Sequence, residues 1–75
     1  MLFLIEYDRE RGKVVEMSRF SESDRQAANS ARLDLELDLN RRGIEHEVVL
    51  LEAEDESTLR RTHRRYFEDL LELAS

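Results

Sequence analysis

Leu33-Asp34-Leu35-Glu36-Leu37-Asp38-Leu39 is the stretch on which the fold turns. Apolar and acidic residues alternate in it without a break, which is the period of a β-strand. The residue types argue the other way. Leu and Glu favour helix, and no β-branched or aromatic residue occurs between Ala27 and Gly43. A helix over about residues 22–42 is therefore expected. Ser21 or Ser23 can cap its start, Ser23 and Gln26 have the spacing of a capping box, and Gly43 stands where a C-terminal cap needs a positive φ.

At 100° per residue, Ala28, Ala31, Leu35 and Leu39 fall on one stripe, which should face a sheet. Leu33 and Leu37 then fall on nearly the opposite side. A helix that only covers a sheet has no reason to display two leucines outward. They form a patch suited to association, and a symmetric homodimer through this helix would bury both twice.

Upstream, Leu2 to Asp8 is rich in aromatic and branched apolar residues and reads as a strand, with Leu2, Leu4 and Glu6 on one face and Phe3, Ile5 and Tyr7 on the other. Asp8-Arg9-Glu10-Arg11-Gly12-Lys13 is polar and supplies a hairpin loop. A second strand follows over about 14–20, with Val15 and Met17 expected on one face and Val14 on the other. Downstream, residues 44–53 read as a third strand around the apolar centre Val48-Val49-Leu50-Leu51. A second helix is expected over about 55–74, with Leu59, His63, Tyr66, Phe67, Leu70, Leu71 and Ala74 on one face and arginines on the other.

The order ββαβα implies an α+β fold, a two-layer sandwich of one three-stranded sheet and two helices, in a single domain spanning residues 1–75. The first strand is the most apolar, which favours spatial order 2-1-3 with the third strand antiparallel to the first; an order 1-2-3 remains open. With both helices on one face, the far face of the sheet would stay open, and either order leaves edges that a partner could extend.

Composition narrows the function. At 75 residues the core must be thin, and with no Cys there is neither a disulfide nor a thiolate metal site to staple it. Eighteen acidic against 12 basic side chains give a net charge of −6, which argues against a chain whose main business is gripping phosphate. The run Met1-Leu2-Phe3-Leu4-Ile5 is too short for a signal peptide, and no apolar stretch approaches a membrane span. A soluble, cytoplasmic protein without a membrane partner is expected.

The sharpest local feature is Arg60, Arg61, Arg64 and Arg65 in the second helix. Four cations near a helix start run against the macrodipole, so something should offset them. One account is an anion or nucleic-acid contact with Tyr66 at its edge for stacking. The other is charge pairing: Glu56 precedes Arg60 by four residues, Arg64 precedes Glu68, and Arg65 precedes Asp69. Charge pairing is the expected outcome. Glu22, Asp24, Glu52, Glu54, Asp55 and Glu56 crowd the helix starts, where acids complement the dipole and no calcium-loop spacing occurs. His63 is expected to be packed in the core and His46 to mark an exposed strand start. They do not share a metal-binding spacing.

No nucleophile elbow, P-loop, dinucleotide turn or cysteine nucleophile is present, so catalysis, cofactors and metals are not expected. The function that follows is a small non-catalytic interaction module, homodimeric through Leu33 and Leu37. The alternatives are a nucleic-acid-associated regulator using the arginine face, and an acidic, antitoxin-like partner of a basic protein.

Overall fold

A computed structural model describes residues 1–67 of the chain. Strand β1 (Leu2–Asp8) is followed by β2 (Lys13–Phe20), then a 3-10 turn at Glu22–Asp24 that leads into helix α1 (Arg25–Arg42). Strand β3 (Glu47–Glu52) and a short helix α2 (Glu56–Thr62) complete the regular elements, with a further 3-10 turn at Arg64–Tyr66. The alternating leucine stretch is helical throughout, as its residue types require. Gly43 ends α1 at φ 71°, and its N–H bonds back to Asn40 and Leu39. The capping box does not form: Asp24 occupies the N-cap without a side-chain bond to the backbone, while Ser21 bonds Ser23 and Asp24.

The sheet has the order β2-β1-β3 with both pairings antiparallel, as the apolar character of β1 implies. Leu2 to Glu6 are all buried, so this central strand needs cover on both faces. That requirement decides the layering. Phe3 and Ile5 pack against Leu59, with Tyr7, Val14, Met17, Val49, Leu51 and Phe67 around them. The opposite face, carrying Leu2, Leu4 and Glu6, lies under α1, which buries Ala28 and Leu39. Cross-links agree with this assignment. Arg25 of α1 reaches Glu52, which stands opposite Leu2, whereas Glu56 of α2 binds Arg19, which stands opposite Phe3.

The α+β class, the ββαβα order and the strand order are thus as read, but the layering differs. The helices sandwich the sheet from opposite sides instead of sharing one face. A strand apolar on both faces would otherwise expose Phe3 and Ile5, each fully buried and contributing about 1.5–3 kcal/mol.

Two local corrections follow. A β-bulge sets Glu6 opposite Glu16 but Tyr7 opposite Val14. Val15 is therefore the extra residue and is 52% exposed, while Val14 joins Met17 on the α2 face. The expected second helix over 55–74 stops at Thr62, because His63 leaves helical geometry at φ −121°, ψ 51°. Residues 68–74 of that expectation lie outside the described residues. β3 also begins at Glu47 rather than Ile44.

Candidate functional site

The outward face of α1 is the first candidate. Leu33 and Leu37 are 52% and 55% exposed, on the side of α1 turned away from the sheet. Gln26, Asn29, Ser30 and Asn40 share that side and are exposed as well. No charged residue interrupts this stripe in a chain that is 40% charged. Its flanks do carry charges: Arg32 binds Glu36 at 3.2 Å, Arg42 binds Asp38 at 2.9 Å, and Arg41 approaches Asp38 only to 3.8 Å.

The arginines of the C-terminal segment are separated by the break at His63. Arg60 binds Glu56 at 3.2 Å and lies 4.7 Å over the Phe67 ring. Arg65 binds Glu47 at 2.8 Å and lies 4.6 Å over Tyr66. Arg61 acts on Asp55 through space, and Arg64 follows the break. Two of the four guanidiniums therefore hold the segment onto the sheet and its own rings. Tyr66 is 8% exposed, packs edge-on against Tyr7 at 5.0 Å, and offers no face for base stacking. Burial, with Glu47 nearby, pushes its hydroxyl up from the usual tyrosine range.

The acids at the element starts are engaged in the same way. Glu22 is held down at about 2, first by the Met1 amino group at 3.0 Å, then by Glu52 and Arg25. Arg25 bridges Glu22 and Glu52, each at 3.0 Å. Asp55 caps α2 by accepting from the Thr58 N–H at 2.7 Å, and this bond lowers its pKa.

The third site escaped the sequence reading. Glu6 is 7% exposed in the central strand, and His46 Nδ1 lies 2.6 Å from its Oε2. The other ring nitrogen lies 3.6 Å from Asp8 Oδ2. Position 6 falls on the apolar face of β1, so the sequence signal was a glutamate in register with Leu2 and Leu4. Its partner could not be named before the β1–β3 register was known. Among the described residues, no nucleophilic side chain bonds His46 and no acid–histidine group is arranged to hold a metal. The arrangement is an anchor: it ties the segment entering β3 to the central strand and satisfies a buried carboxylate. His63 is half-buried at the end of α2 and is not in the core cluster.

No family model, curated protein or solved structure matches the chain. Among the described residues, no helix is long and apolar enough to cross a membrane.

Proposed function

We propose that the protein is a non-catalytic, cytoplasmic interaction module that self-associates through the outward face of α1. The observation that carries this reading is the exposure of Leu33 and Leu37 on a helix whose other face already covers the sheet. With α2 on the far side of that sheet, no described element lies over them. Burying the exposed half of four leucines contributes roughly 3–6 kcal/mol. Association costs about 4–15 kcal/mol, so the leucines alone give at most a weak, concentration-dependent dimer, and the contacts that flank them must supply the rest.

The arginine reading has less support, because Arg60 and Arg65 are already paired with Glu56 and Glu47 and Tyr66 is covered. The net charge of −6 alone favours a basic partner and points to no surface for one.

Light scattering over micromolar to millimolar concentrations tests the proposal. Wild type should approach twice the monomer mass as concentration rises, while Leu33→Asp/Leu37→Asp stays monomeric with an unchanged circular dichroism spectrum. Equal monomeric masses for both would remove the self-association reading.

A further inference from the structure

The identity and orientation of the occupant follow from the charges that flank the leucines, given the self-association reading above. On α1, Gln26, Ser30, Leu33, Leu37 and Asn40 are spaced 4, 3, 4 and 3, the a/d seam of a two-stranded coil. Leu33 takes a d position and Leu37 an a position, with uncharged polar residues in the layers on either side. The flanking g positions are Asn29 and Glu36, and the flanking e positions are Asp34 and Arg41.

Two arrangements of a second copy can bury this seam, and they differ in what the flanks meet. An antiparallel pair sets g against g and e against e. Glu36 would then face Glu36 of the other copy on one side, and Asp34 would face Asp34 on the other. A parallel pair sets each g against the e residue five positions later in the other chain. Glu36 then meets Arg41 of the second copy, and the contact occurs twice by symmetry. Asn29 meets Asp34, so no like-charged pair forms across the seam. Within one chain Glu36 already binds Arg32 at 3.2 Å through Oε1, so the second copy's Arg41 would be a further donor to that carboxylate. Arg41 itself is held only loosely, 3.8 Å from Asp38 with a 77% exposed side chain, so it can turn to it.

We infer that the partner on α1 is α1 of a second copy, running parallel about a two-fold axis along the helices, with Leu33 and Leu37 meeting their own counterparts and Glu36 paired to Arg41 across the seam. The polar layers at Gln26, Ser30 and Asn40 reduce affinity and meet polar layers in either orientation, so the flanking charges carry the choice between the two.

The chain contains no cysteine, so a single introduced thiol reports its own neighbour. In the parallel arrangement Asn40→Cys lies opposite itself, within the Cα separation that a disulfide spans. It should cross-link to a covalent dimer under mild oxidation, and adding Leu33→Asp/Leu37→Asp should abolish this. In the antiparallel arrangement residue 40 lies opposite residue 30, so Asn40→Cys would cross-link only when mixed with Ser30→Cys. That result, with a dimeric wild type, overturns the orientation and leaves self-association standing. A monomeric wild type overturns both.

A second experiment probes the salt bridge. Glu36→Arg and Arg41→Glu should each weaken their own dimer, and mixing them should give heterodimer at least tenfold above the statistical share by native mass spectrometry. Reversal of the exposed loop residues Arg9 and Glu10 controls for net charge. A statistical mixture, or equal enrichment in the control, refutes the Glu36–Arg41 contact.

Discussion

Glu6 and His46 show how a single pair of residues closes a gap in a thin core. A carboxylate in the middle of a sheet face is costly unless hydrogen-bonded, and His46 supplies the bond at 2.6 Å. His46→Ala should destabilise the chain by about 1.5–3 kcal/mol in urea titration, since it leaves the 7% exposed Glu6 without its partner. Replacing both, as Glu6→Leu/His46→Leu, should recover most of that loss, because the penalty lies in the unsatisfied group. Glu22 gives the second residue-scale expectation. Its pKa falls from 4.5 to about 2 on folding, so its stabilisation is complete above about 4.5 and is lost as pH drops towards 2. Thermal melts across that window should slope less steeply for Glu22→Gln than for wild type. Ala28 and Leu39 were legible as sheet-facing from spacing alone. The role of His46 was not, because nothing local distinguishes a histidine that meets a buried acid 40 residues away from one that marks an exposed strand end.

At the scale of elements, α1 and α2 owe their existence to different forces. α1 is 18 residues long, has good intrinsic propensity, and ends in a left-handed glycine cap. Helix α2 has seven residues, too few to be stable alone, and depends on the Asp55 cap and on Leu59 seated in the core. Asp55→Ala should therefore cost about 1 kcal/mol, measured by chemical denaturation, while the same change at Asp24, which makes no cap bond, should cost less. The break after Thr62 was hidden in the sequence because Leu59, His63, Tyr66 and Phe67 keep helical spacing across it. The 3-10 turn instead carries the Tyr66 and Phe67 rings to the sheet and leaves Arg60 and Arg65 lying over them. The bulge at Val15 was hidden for a similar reason. Val14, Val15 and Met17 alternate acceptably in either register, and the cross-strand pairing alone selects Val14 for the core.

Among the described residues, the two helices occupy opposite faces of a three-stranded sheet, α1 covering one face and α2, with the turn that follows it, packing on the other. This arrangement completes the core within one chain and leaves α1 with an outward side the core does not use. The leucine changes should accordingly separate fold from assembly. Leu33→Asp/Leu37→Asp should melt cooperatively and independently of concentration, whereas wild type should gain stability as concentration rises. The same separation explains the distribution of charge. Most of the described ion pairs link elements or adjacent turns of one element, while the seam of α1 carries no charge.

Local residue preference and periodicity by themselves determined the helical state of the alternating leucine stretch, the order ββαβα and the placing of Leu33 and Leu37 away from the sheet, and they favoured the central place of β1, which the strand pairing then decided. Each of these depends on residues close in the chain or on the apolar content of a single segment. Tertiary structure alone decided which face each helix covers, where the second helix breaks, which valine the bulge expels, and that His46 satisfies Glu6. Those outcomes depend on the register between strands and on which buried groups need partners, and both are set by residues far apart in sequence that meet only when the sheet closes.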